Sequence, residues 1–145
     1  MKLRSVLYSA CAATAAAIAV TLAAPAMART PGETVTPNFQ HSISNIPGKS
    51  MVAVVVDYAP GAASPPHMRA KSAFIYAYVV SGTIETQVDD GPKRVLHAGQ
   101  SFYEQPGSVH RVSRNASATE PAKLLAVFVV DTNDRNLTQP LKEGE

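Results

Sequence analysis

Apolar residues along this chain recur mostly at period two and in short blocks, and glycine or proline punctuates the blocks. Met51 to Tyr58 is a β-branched run ended by Pro60-Gly61, and Phe74 to Val80 is a second run whose turn is marked by Gly82. From Thr83 to Asp89, Ile84, Thr86 and Val88 fall on one face and Glu85, Gln87 and Asp89 on the other, which predicts a strand with one wet face. Asp90-Gly91 is a hairpin signal, and Lys93 to His97 returns from it to Ala98-Gly99. Ser101 to Glu104, Val109 to Arg114 and Lys123 to Val130 complete the series. Nothing beyond the first thirty residues has the 3.6 period of a long helix. Arg29 to Ser50 is rich in Pro, Gly, Ser and Asn with only Val35, Phe39, Ile43 and Ile46 as spaced apolar residues, and predicts a lead-in with one short strand. Asp131 to Glu145 predicts a polar tail, loose or packed against a neighbour. Many short strands separated by turn signals predict an all-β sandwich or barrel, as a single domain over 48–130 between a lead-in, 29–47, and a tail, 131–145.

The first 28 residues change the reading of composition. Lys2 and Arg4 precede an uncharged stretch from Ser5 to Ala28 with an apolar centre around Ala12 to Leu22, and Ala26-Met27-Ala28 places small residues where signal peptidase reads. This pattern predicts a cleavable signal peptide, 1–28, cut after Ala28, and a periplasmic or secreted bacterial protein. An uncleaved anchor needs about 20 predominantly apolar residues, and Thr14, Thr21 and Pro25 interrupt this one. Removing 28 of the 145 residues leaves 117 and takes Lys2, Arg4 and Cys11 with it, so the 13 basic side chains become 11, equal to the 11 acidic ones. The balanced chain gives no reason to expect nucleic acid or a membrane surface as partner. Without a thiol it is no disulfide scaffold, and its stability must come from its core.

Candidate chemistry is concentrated in two segments. One runs from Gly61-Ala-Ala-Ser-Pro-Pro-His67-Met-Arg69 to Gly82, the other from Gly99-Gln-Ser-Phe-Tyr-Glu104-Gln-Pro106-Gly107-Ser-Val-His110 to Asn115. Together they resemble the two signature motifs of the cupins, small barrels of jelly-roll architecture that hold a metal or a small molecule inside. The resemblance spans about residues 48 to 130 and implies an all-β cupin jelly-roll β-barrel preceded by the signal peptide. In the family pattern the first motif carries His-x-His and then a glutamate seven residues before the closing glycine. Here the second histidine is Arg69 and the glutamate position is Ile75.

Residues two apart on a strand share a face, so the family register implies that the pairs His67 and Arg69, Phe102 and Glu104, and His110 and Val112 all point inward. The resemblance makes His67 and His110 candidate ligands of a divalent metal (Fe, Mn, Ni, Cu or Zn), with Glu104 completing the two-imidazole, one-carboxylate set of non-haem iron(II) enzymes. The other reading of each histidine is a hydrogen-bonded interior residue. Arg69 opposes a metal, because a guanidinium has no lone pair and repels a nearby cation. Three placements of Arg69 stay open: an ion pair with Glu104 in the metal's space, a position at the barrel mouth where it binds an anionic group, or the surface. Glu104 correspondingly reads as metal ligand, as partner of Arg69, or as a rim carboxylate bonded to the Pro106-Gly107 turn.

Ile75, Ala77 and Val79 are expected to line the interior, which leaves Phe74, Tyr76 and Tyr78 outward as an aromatic stripe. A second subunit is its expected cover, giving a homodimer, with the lead-in or the tail as the alternative cover. His41 and His97 read as surface residues, Asp89-Asp90 as a solvated turn, and the Asn115-Ala116-Ser117 acceptor pattern as a loop. No Ser-His-Asp order, phosphate loop or CxxC pair is present. Cupin folds host dioxygenases, isomerases, decarboxylases and binding proteins, so the fold does not choose a reaction. The first expectation is a binding cupin that holds a small polar or anionic molecule through His67, Arg69, Glu104 and His110 with weak or no metal. The alternatives are a metal-dependent enzyme on His67, Glu104 and His110, and an interaction protein working through its outer aromatic face.

Overall fold

The computed structural model describes residues 31–141, so the expected signal peptide and its cleavage point lie outside the described residues. Eleven strands follow one another without a helix among them: β1 (Glu33–Ser42), β2 (Lys49–Tyr58), β3 (Ala63–Ser64), β4 (His67–Arg69), β5 (Phe74–Ser81), β6 (Thr83–Val88), β7 (Arg94–His97), β8 (Ser101–Glu104), β9 (Val109–Asn115), β10 (Ala122–Asp131) and β11 (Thr138–Pro140). They form two antiparallel sheets, one ordered β1-β2-β10-β5-β8 and the other β11-β4-β9-β6-β7 with β3 added to β9. The expected jelly-roll layering is present, but the barrel is not closed. The four-residue strands β7 and β8 are joined by a tight turn at Ala98-Gly99, yet β7 pairs with β6 and β8 with β5, so the chain changes sheet there and leaves a seam.

Two of the sequence expectations change. The lead-in is a ten-residue edge strand, β1, paired along β2 with a bulge at Asn38, so a β-poor composition is overridden by a long partner strand. In the tail, Thr138 to Pro140 pairs with Arg69 to His67, and Leu137 packs against the core.

Alternation builds the core. Ile75, Ala77 and Val79 of β5 and Ile84 of β6 are buried as expected, Ile75, Val79 and Ile84 each contributing roughly 1.5–3 kcal/mol relative to exposure. The apolar interior divides into two clusters, one around Val79, Ile84, Phe102 and Leu124, the other around Ala73, Ile75, Phe128 and Val130. The polar residues of the two motifs lie where these clusters meet.

Candidate functional site

Strand register decides which motif residues meet. β4 and β9 pair with His67 opposite His110, and the next backbone bond, Arg69 N to Ser108 O at 2.9 Å, continues the pairing. From the facing sheet, the pairing of β5 with β8 sets Glu104 opposite Ile75 and Phe102 opposite Ala77, so both point inward.

Arg69 Nε donates to Glu104 Oε2 at 2.8 Å, and Arg69 Nη2 donates to Glu104 Oε1 at 2.7 Å. The two side chains are 9% and 0% exposed. Arg69 Nη2 also lies 3.1 Å from His110 Nδ1, and Thr86 Oγ1 lies 2.8 Å from His110 Nε2. A guanidinium can only donate, so the neutral imidazole accepts at Nδ1 and donates its Nε2 proton to Thr86. His110 Nδ1 also stands 3.3 Å from Glu104 Oε1. The guanidinium carbon stands 5.5 Å from the centre of the Phe128 ring, and His110 meets Phe102 edge-on at 5.7 Å. Burial alone would raise the Glu104 pKa, but its polar neighbours His110 and Arg69, the latter with two hydrogen bonds and its charge, hold it at about 2.

His67 stands edge-on to His110 at 5.4 Å. Its Nδ1 donates to the Pro65 carbonyl at 2.8 Å, which leaves Nε2 with a lone pair, buried and without a partner among the described residues. Burial, and then the charge of Arg69, pull its pKa down to about 4, so the ring is neutral at pH 7. Ser108 Oγ is likewise buried and unpartnered among the described residues.

The four predicted site residues are therefore brought together, and of the placements open to Arg69 and Glu104 the structure selects the mutual ion pair. Neither the barrel-mouth position of Arg69 nor the rim position of Glu104 is found. The inward pair of His110 and Val112 is corrected to His110 and Ser113. Between Gln87 and Val88 the register of β6 against β9 slips, and the extra residue in β9 exchanges its faces. Asn115 is no loop residue either. It is 1% exposed, its amide donates to the Ala59 and Glu120 carbonyls, and its Oδ1 accepts from Ser117 N. Phe74 and Tyr76 face outward as expected, and His41 and His97 are exposed.

The donor set does not fit the metal that the fold family implies. Both Glu104 oxygens and both His110 nitrogens already have hydrogen-bond partners, and a fixed positive charge stands among them. Among the described residues no group of three His, Cys, Asp or Glu side chains is placed to hold a metal ion.

Nor do the four residues line a large cavity, because they pack on one another. A cleft of about 310 Å³ lies at the seam, lined by Thr86, Val88, Asp89, Gly91, Pro92, Arg94, Phe102, Tyr103 and Gln105. Thr86 joins cleft and cluster through its bond to His110. The sequence reading missed it, although a threonine between Ile84 and Val88 on an apolar face was a signal. Also missed was the buried network in which Tyr58 bonds Ser64 at 2.7 Å and Ser113 at 2.9 Å, with Ser64 donating to Glu33.

Comparison with known proteins agrees with this architecture. The Cupin_2 family model, described as a cupin domain, matches residues 54–128. A cupin-domain-containing oxidoreductase, fogC, of Aspergillus ruber is 30% identical over 93 residues, which is 64% of this chain and 44% of that protein. The chain thus spans less than half the length of this curated relative. Among solved structures, TT1209 from Thermus thermophilus superposes with a TM-score of 0.57 at 24% identity, covering 72% of this chain and 90% of that one. Recombinant oxalate oxidase in complex with glycolate superposes with a TM-score of 0.57 at 25% identity, covering 78% and 57% respectively. With two facing sheets, both motifs in register and a family model covering more than half of its residues, the chain belongs to the cupin domain family.

Proposed function

We propose that this chain is an exported cupin that binds a small polar molecule without a metal, in the cleft where its two sheets stay apart. The observation that carries the reading is the forked Arg69–Glu104 pair with His110 on a third N–H, which occupies the donors a metal would need. The cleft offers Thr86 and Gln105 as neutral hydrogen-bonding groups, Phe102 as an apolar wall and Arg94 as a cation. A volume of about 310 Å³ is at the small end of the range for small-molecule sites. An anionic group on the ligand meets Arg94 rather than Arg69, because Glu104 already balances the charge of Arg69. The oxalate oxidase relative is described with glycolate, a molecule of this size and polarity.

The test is elemental analysis of protein purified from its own periplasm, with NMR shift mapping against small hydroxy acids, polyols and amides. No stoichiometric metal, and shifts centred on Thr86, Arg94, Phe102 and Gln105, are expected. Stoichiometric Fe, Mn, Ni, Cu or Zn replaces this reading with the metal-dependent enzyme on His67, Glu104 and His110. Intact-mass measurement of the same sample checks export, the expected first residue being Arg29.

A further inference from the structure

We infer that the interior of this cupin contains a guanidinium receptor, built from Glu104, His110 and Phe128 and filled by the chain's own Arg69 in the place of a metal ion. Each wall of the site suits a planar cation. Glu104 takes two parallel N–H bonds, from Nε at 2.8 Å and Nη2 at 2.7 Å, the fork geometry that distinguishes guanidinium from a point charge. His110 Nδ1 accepts the other Nη2 hydrogen at 3.1 Å, and Thr86 holds the ring in that orientation from Nε2. Phe128 presents its ring at 5.5 Å from the guanidinium carbon, within the range of cation–π attraction.

A spherical divalent ion would need the same carboxylate and the same imidazole nitrogen, so the two cations compete for one set of acceptors. The tethered one has the advantage. It enters from the strand face that carries His67, two residues away, and its local concentration does not depend on the surroundings. The consequence is a barrel that keeps the organisation a metal would impose while remaining closed to metal exchange. This goes beyond the ligand-binding proposal and does not depend on it, since the receptor exists whether or not the cleft is occupied.

The experiment is thermal unfolding of Arg69→Ala at pH 7 with added cations. Removing one partner of a buried pair is expected to lower the melting temperature by roughly 10 °C or more. Ethylguanidinium at about 20 mM is expected to recover most of that loss by mass action, while ethylammonium and sodium at equal concentration recover little. Zn(II) titrated into the same variant is expected to bind at least tenfold more tightly than to wild type, and ethylguanidinium is expected to displace it. Failure of ethylguanidinium to rescue, or equal rescue by ethylammonium, overturns the inference. Should Arg69→Ala not fold, Arg69→Lys keeps the charge without the fork and is expected to melt well below wild type. A lysine variant as stable as wild type overturns it equally. Shift mapping of the cleft on wild-type protein reports on the ligand proposal separately.

Discussion

Glu104 and His67 share a neighbour, Arg69, and each couples its protonation to folding. Glu104 has an ordinary pKa of 4.5 and a folded value of about 2, so its contribution is present above about pH 4.5 and is lost as pH falls through about 2. That contribution is on the order of 3 kcal/mol. His67 falls from 6.5 to about 4 on folding, so between these values the unfolded chain binds the proton first and acidification destabilises the fold. Urea unfolding at pH 7, 5 and 3 is therefore expected to show a loss from pH 7 to 5 and a further loss by pH 3. His67→Asn is expected to flatten the first step and leave the loss near pH 3. A wild-type midpoint independent of pH from 7 to 3 would contradict both assignments. At the same scale, Arg69→His restores the His-x-His pair of the family pattern and removes the competing charge. Calorimetric titration with Zn(II) and Mn(II) is expected to show it binding at least tenfold more tightly than wild type, a gain of about 1.4 kcal/mol. Equal, tight binding by both proteins would mean that Arg69 does not oppose metal.

Between elements, the turns and the β9 bulge decide where side chains point. Gly82, joining β5 to β6, has φ of +72°, and a Cβ there would come 2.5 Å from the Pro121 carbonyl oxygen. Both the left-handed backbone and the backbone contact oppose a side chain, so Gly82→Ala is expected to cost more than about 1 kcal/mol in chemical unfolding. An unchanged midpoint would mean that the Pro121 segment moves freely. The bulge places Ser113 rather than Val112 inside, where it bonds the Tyr58 hydroxyl. Ser113→Ala is expected to destabilise by about 1–2 kcal/mol, more than Val112→Ala on the other face. The reverse order would return Val112 to the interior.

Across the molecule, the outer face of the five-stranded sheet presents exposed apolar side chains among the described residues. One cross-strand row runs Phe39, Ala53, Val127, Tyr76, Tyr103, and the next runs His41, Met51, Val129, Phe74. Phe39, Phe74, Tyr76 and Tyr103 are 50%, 39%, 44% and 61% exposed, and Phe74 stacks on Tyr103 at 5.9 Å. The Lys123–Asp57 and Lys49–Asp131 ion pairs bound this surface at its two ends, giving the apolar centre and polar rim of a protein interface. We propose that a second copy covers it. Tyr76→Glu is expected to shift sedimentation from dimer to monomer, or to give insoluble protein if folding requires the dimer. A soluble variant that sediments as wild type argues against this contact. The row was half legible beforehand: Phe74, Tyr76 and Tyr78 follow from alternation within one strand, whereas Phe39 and Tyr103 join them only through register.

Local sequence determined by itself that the β-branched and aromatic runs Met51 to Tyr58 and Phe74 to Val80 are strands, and period-two alternation gave the two faces of Thr83 to Asp89, because both are local properties of the backbone; the inward side of Phe74 to Val80 came from the family register. The motif spacing likewise indicated a cupin and placed Arg69 where the pattern has a histidine. Tertiary structure alone decided that β1 is a full edge strand, because its composition is weak and its partner is long. It also decided that Ser113 replaces Val112 inside and that Thr86 anchors His110, since a one-residue slip in register exchanges faces without leaving a mark on either strand's own pattern. The fate of Arg69 was open in the sequence for the same reason. A guanidinium can pair, snorkel or lie outside, and only the approach of Glu104 from the opposite sheet selects the buried pair.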